Sequence, residues 1–352
     1  MASLTARHRR PSPSTACRGC ERGGSRQAQL SCCERARTQA DAPMNRRYFL
    51  CGAGLGLIGA RAAATPSYDR EAVAALRGVE SAVGGRLGVL IRDTATGRSI
   101  GWRPRERFCH CSTFKLSLAA MALRESDARR LDLAERLAIA PADILEPSPV
   151  VASHMAAGRM SILALARASQ VASDNAAANI LMRRLGGPAA LTRFWRGIGD
   201  GTSRIDGYEP DINVIPPGTG ENSTTPEAMA RSLERMVLGD VLAPSSRKLL
   251  RDWMAETVSG ARRLRAALPP GWSGLDKTGT GMRPGVGNKT NDLAVLLPPD
   301  GRGPLVIAAY LETPFAAQVR PRDEAALKAV GDIALTWSRR RKLSPSALGL
   351  TR

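Results

Sequence analysis

Histidine is nearly missing from this chain of 352 residues: His8, His110 and His154 are all it has. Two of them lie beyond residue 64, which leaves little room for a Ser-His-Asp triad or a multi-histidine zinc site. Aromatics make up 4%, too few for a base-stacking surface, and no zinc-finger or RNA-binding spacing occurs. Of seven cysteines only Cys109 and Cys111 lie past residue 64, so no disulfide framework is implied. Acidic residues are outnumbered, 32 against 51 basic, for a formal charge of +19. The excess is arginine scattered along the chain, with one block, Arg339-Arg340-Arg341-Lys342, near the end. It reads as a basic surface, and no nucleic-acid partner is expected.

What is present begins with an address. Asn45-Arg46-Arg47-Tyr48-Phe49-Leu50 resembles a twin-arginine export motif. A Gly-rich apolar stretch, Cys51 to Ala60, follows, too short to span a membrane, and Ala62-Ala63-Ala64 offers a cleavage site. Residues 44–64 therefore read as a signal peptide. Residues 1–43, Arg-, Ser- and Cys-rich without apolar periodicity, read as a disordered upstream extension. The expected product is exported to the periplasm and keeps no membrane span.

Periodicity outlines the rest. Tyr68 to Val83 carries a helical stripe, Leu87 to Ile91 and Ser99 to Trp102 are strands, and the chain from Ser112 to about Gly260 is mostly helical. A non-helical stretch from about Gly199 to Thr224 interrupts it, long enough to suggest function. Ser273–Thr280, Asp292–Leu297 and Leu305–Leu311 are strands, and a helix closes from about Arg322 to Trp337. The fold class is α+β. A mainly antiparallel sheet from both chain ends, with helices on its faces, makes a discontinuous domain of 65–108 plus 261–342. An inserted helical domain spans 109–260, including the 199–224 loop, and 343–352 is a tail. A cleft is expected between the two lobes.

Three motifs occur in order: Ser112-Thr113-Phe114-Lys115, Ser173-Asp174-Asn175 and Lys277-Thr278-Gly279. Serine and lysine three apart on a helix share a face, so Lys115 can activate the otherwise weak nucleophile Ser112. As a bare residue, Ser112 reads as a helix N-cap. Ser173 can pass a proton to a departing nitrogen, and the Asn175 amide can donate to and accept from a substrate amide. Asp174 reads as a cap of the next helix. Lys277 places positive charge opposite the serine, unless it merely marks an edge strand. Gly279 lets substrate approach the backbone, and the N–H groups of Ser112 and Thr280 can form an oxyanion hole. Alternation on an extended segment sends Cys109 and Cys111 to opposite sides, a poor chelate, with Cys111 packed beneath the serine.

The three motifs are those of serine enzymes that open or bind β-lactams. Glu209-Pro210-Asp211-Ile212-Asn213 adds a fourth element, and with it the chain resembles a class A serine β-lactamase from about Tyr68 to Trp337. The resemblance implies hydrolysis of a small-molecule β-lactam without metal or other cofactor, by a protein that is usually a monomer. It makes Glu209 the base that activates water against the acyl-enzyme, held with Asn213, and allows a cis Glu209-Pro210 bond. It assigns Lys277, Thr278, Thr280 and Arg263 to the substrate carboxylate and Asn175 to the side-chain amide.

The chain also departs from the family. The salt bridge that usually closes the loop is replaced by Gly207 and Asn222, so closure by other contacts and a more mobile or enlarged site are expected. Pro147 stands where an aromatic platform is common. Val286 replaces an arginine whose charge Arg263 supplies. Thr280 suggests a spectrum reaching cephalosporins and carbapenems. Two rivals share the three motifs: a penicillin-binding D,D-peptidase, and a β-lactam-sensing domain that stays acylated. Glu209 and Asn213 argue against both.

Overall fold

The computed structural model describes residues 67–215 and 219–340. The export signal, the upstream extension and the tail fall outside them. In chain order the elements are α1 (Ser67–Val83), β1 (Arg86–Asp93), β2 (Ser99–Trp102), β3 (Phe108–Cys109), α2 (Phe114–Asp127), β4 (Arg136–Ala138), α3 (Pro149–Ser153) and β5 (Arg159–Ser161). Then come α4 (Ile162–Val171), α5 (Asn175–Arg184), α6 (Gly187–Gly197), β6 (Ser223–Thr224), α7 (Pro226–Val237), α8 (Pro244–Glu256), β7 (Ser273–Arg283), β8 (Gly287–Leu297), β9 (Leu305–Thr313) and α9 (Pro321–Arg340).

One antiparallel sheet carries the order β2-β1-β9-β8-β7. The chain ends thus share a sheet, as the strand pattern predicts. Alternation along β9 sends Leu305, Ile307, Ala309 and Leu311 to one face, where they pack with Leu76 of α1 and Leu327 and Val330 of α9. Val306, Ala308 and Tyr310 point the other way, into the core of the helical lobe. Burial on both faces explains why these strands read as apolar runs rather than alternating ones.

The helical lobe is built around α2. Every residue from Phe114 to Leu123 is buried, the pattern of a helix enclosed all round. This enclosure carries Lys115 into the interior. At the other edge, β7 ends the sheet, yet Lys277 is fully buried, because the helical lobe covers that side of the strand. The sheet edge where a surface lysine would normally sit is thus covered rather than open. Among the described residues, no helix is long and apolar enough to cross a membrane.

Candidate active site

Ser112 does not cap a helix. It lies in a 3-10 turn, Cys111–Thr113, that runs directly into α2, and Cys111 before it has φ of 43°. The turn is pinned from outside: Asn291 Nδ2 on β8 donates to the carbonyl oxygens of Cys109 and His110 at 2.9 and 3.3 Å. One helical turn on, Lys115 Nζ donates to Ser112 Oγ at 3.0 Å, to Ser173 O at 2.8 Å and to Asn175 Oδ1 at 2.5 Å. It also meets Glu209 Oε1 at 3.0 Å, with both side chains almost fully buried. Burial pulls the Lys115 amine below its ordinary range, opposed mainly by the Glu209 charge.

Glu209 is fixed from three directions. Its N–H donates to Asn179 Oδ1 and its carbonyl accepts from Asn179 Nδ2, each at 2.9 Å. Asn213 Nδ2 donates to Oε2 at 2.8 Å, and Ser112 Oγ donates to Oε1 at 3.3 Å. The Glu209-Pro210 peptide is cis. Asn179 was not singled out from the sequence; it sits four residues after Asn175, hence on the same face of α5, and that spacing was the available signal.

The loop that carries Glu209 closes without the missing salt bridge. Asp206 N donates to Asn222 Oδ1 at 2.9 Å and Asn222 N donates back to Asp206 Oδ2 at 3.0 Å. Asn222 Nδ2 also reaches Val214 O at 3.3 Å. Asn222 is therefore the lock rather than a vacated partner. Asp206 is partly buried, which works to raise its pKa, but Arg204 and the Asn222 N–H hold its carboxyl below the usual range.

The second and third motifs meet through their side chains. Ser173 adopts φ of 56°, and its Oγ accepts from Lys277 Nζ at 3.1 Å. Asp174 is the structural member: Oδ1 caps α5 at Ala177 N at 2.8 Å, and Oδ2 accepts from the N–H groups of Val150 and Val151. Asn175 spends its amide on the protein, accepting from Lys115 and donating to Glu146 O at 3.0 Å. Its backbone N–H donates to Pro147 O, so the segment that lacks an aromatic platform is tied to the same asparagine. Burial and the charge of Lys115 pull the Lys277 amine down to about 7.

Beyond Lys277, the Thr278 hydroxyl pairs with Ser259 Oγ at 2.6 Å, a partner the sequence did not suggest. Arg263 is 3% exposed. Its Nη1 donates to Gly279 O and Asn291 O at 3.1 and 2.8 Å, and its Nη2 to Thr280 Oγ1 at 2.8 Å. It reaches the cleft through the Thr280 hydroxyl. Gly279 has a reason other than substrate approach: a Cβ there would lie 2.8 Å from His110 O and 3.0 Å from Thr113 Cγ2. Strand β7 packs directly on the turn that holds Ser112.

The alternation argument for Cys109 and Cys111 fails. His110 turns helical, with φ −60° and ψ −44°, so the segment is not the plain extended strand that alternation assumes; both thiols are buried, and Cys109 Sγ donates to Ile212 O at 3.3 Å. Cys111 does pack beneath the site, against Gly279 and Gly281. Among the described residues, no group of three His, Cys, Asp or Glu is placed to hold a metal ion.

Fold and site thus define an α+β protein in which a serine, two lysines and a carboxylate are joined in one hydrogen-bonded cluster through Ser173. Residues 71–338 match a family described as the β-lactamase enzyme family. β-Lactamase L2 of Stenotrophomonas maltophilia is 45% identical over 235 residues, 66% of this chain and 76% of that protein. β-Lactamase CTX-M-8 of Citrobacter amalonaticus is 38% identical over 259 residues, 73% and 87% of the two chains. Among solved structures, an ancestral class A β-lactamase superposes with a TM-score of 0.70 at 44% identity, over 75% of this chain and 99% of that one. A β-lactamase from Burkholderia vietnamiensis gives 0.72 at 42%, over 78% and 97%. The chain belongs to the class A β-lactamases.

Proposed function

We propose that this β-lactamase opens its substrates through an acyl-enzyme on Ser112. The observation that carries the reading is the shared carboxylate: Glu209 stands within hydrogen-bond distance of Ser112, Lys115 and Asn213 together. Lys115, Glu209 or both take the Ser112 proton as Oγ attacks the β-lactam carbonyl. The N–H groups of Ser112 and Thr280 receive the developing oxyanion. Ser173, whose Oγ accepts from Lys277, gives its proton to the departing nitrogen and takes up the one that left Ser112, so that Lys115 and Glu209 regain their starting states. Glu209, steadied by Asn213, then draws a proton from water, which attacks the ester; that proton passes to Ser112 Oγ as the acyl bond breaks and the free serine is restored.

Substrate selection rests on the far wall. Lys277, Thr278 and Thr280 would receive the substrate carboxylate. Arg263 adds charge through its bond to the Thr280 hydroxyl. An acylamino side chain would have to share Asn175 Nδ2 with Glu146 O. Penicillins and cephalosporins are the proposed substrates and carbapenems a further candidate, with antibiotic resistance the outcome. Export by the twin-arginine route to the periplasm, a monomeric state and the division into 65–108 plus 261–342 and 109–260 belong to the same proposal.

A hydrolysis panel on the purified protein tests it, using a penicillin, a cephalosporin and a carbapenem with and without EDTA. Turnover of the first two, unchanged by chelation, is expected. Loss of activity on chelation, or one-time acylation without turnover, would contradict the mechanism.

A further inference from the structure

Behind the catalytic loop lies a second concavity, of about 460 Å³, between the start of that loop, the 103–107 segment and α7. Four arginines line it. Arg231 and Arg235 are one helical turn apart on α7 and so share a face; Arg105 and Arg107 come from the segment opposite. One carboxylate on this rim, Glu227, is shared by Arg105 at 3.0 Å and Arg231 at 2.6 Å. The other acid, Asp200, is turned into its own network. Its Oδ1 accepts from the N–H groups of Thr202 and Ser203, and its Oδ2 from the Ser203 and Ser232 hydroxyls.

Arg107 and Arg235 are held by neutral groups alone among the described residues. Arg107 Nη1 donates to Thr202 O at 3.2 Å and to Ser223 Oγ at 3.0 Å, and its side chain lies over Gly220. Arg235 donates to Ile198 O and lies over Gly199, where a Cβ would overlap its guanidinium. Such acceptors fix the direction of a guanidinium without neutralising it, and arginine's planar fork suits oxyanions. Thr202 and Ser223 stand at the two feet of the catalytic loop, where Arg204 N donates to Ser223 O at 3.0 Å. An anion drawn to Arg107 therefore acts on the neck of the loop that carries Glu209.

We infer that this concavity binds a small oxyanion carrying several negative charges, of the oligophosphate or polycarboxylate class, and that the bound anion clamps the neck of the catalytic loop. Two opposed pairs of guanidiniums and a volume well above that of one phosphate favour a multivalent ligand over a single ion.

Tripolyphosphate and citrate are the probes, titrated at constant ionic strength into the purified protein. At least one should raise the melting midpoint saturably, by roughly 2–6 °C, and slow amide exchange across 202–223. The double variant Arg231→Glu/Arg235→Glu should lose both effects while still hydrolysing a chromogenic cephalosporin. Arg231→Gln/Arg235→Gln, which adds no negative charge, covers the case in which the first variant does not fold. Arg322→Glu/Arg339→Glu makes the same charge change on α9 and should keep the response. No saturable shift with either probe would overturn the inference. So would equal loss in the α9 control, which would mark general attraction to a basic surface, or stabilisation without protection of 202–223.

Discussion

The Lys115 ammonium and the Glu209 carboxylate meet at 3.0 Å with 0% and 1% of their side chains exposed. Each is the other's main compensation for being taken out of water, so removing one strands its partner. Lys115→Ala should cost about 3–5 kcal/mol of folding free energy as well as acylation. Glu209→Gln, which keeps shape and hydrogen-bonding capacity, should cost less. Chemical denaturation of both variants and the double variant tests this, and additive losses would show that the pair is not coupled.

Gly279→Ala follows from packing. The added methyl group would press on His110 O and Thr113 Cγ2 and force β7 away from the Ser112 turn. Overpacking of this kind costs roughly 1–3 kcal/mol. Melting temperature and kcat/KM should fall together. A variant of full stability and activity would mean that the strand moves away without consequence.

Asn222→Ala opens the loop at its neck. It takes away the partners of the Asp206 N–H and the Val214 carbonyl; water can reach both positions, so each loss should cost about 1 kcal/mol, the net worth of an ordinary hydrogen bond. Amide exchange across 204–222 should quicken, and kcat should fall more than binding, because Glu209 loses its seat. Unchanged exchange would show that other contacts hold the loop.

The pH dependence turns on Lys277. Burial and Lys115 hold its amine down to about 7, so the charge proposed to receive the substrate carboxylate is present below that value and lost above it. For an anionic penicillin, kcat/KM should decline above about pH 7, since this ratio follows free-enzyme groups. Lys277→Arg should remove that limb. The sign for stability is the reverse. The folded pKa lies below the unfolded one, so this contribution is present above the unfolded value, near 10.4, and is lost as pH falls through about 7. Urea midpoints of wild type and Lys277→Met between pH 6 and 10 check it.

Most of the frame was legible because it rests on periodicity. Apolar stripes mark α1 and α9, and the ordered motifs place Ser112, Ser173 and Lys277 on three separate elements. The second layer of the site was harder to see. Asn179 grips both backbone groups of Glu209, yet in sequence it is an asparagine among alanines. In the sequence Asn222 reads as the loss of a charge; in the fold its side-chain amide supplies an acceptor and a donor instead. Cys109 and Cys111 were placed by strand alternation, which ends where His110 turns helical. Gly279 reads in the sequence as an opening for substrate, because the packing of the Ser112 turn against it exists only in the fold.

The central claim is that Ser112 is acylated and Glu209 releases it. Intact-protein mass spectrometry of Glu209→Ala, mixed with a penicillin and sampled over time, tests it most directly. A stable adduct of one penicillin, absent from Ser112→Ala/Glu209→Ala and transient in wild type, is the expected result, with turnover reduced by roughly 10²–10⁴-fold. Free turnover by Glu209→Ala with no adduct would contradict the account.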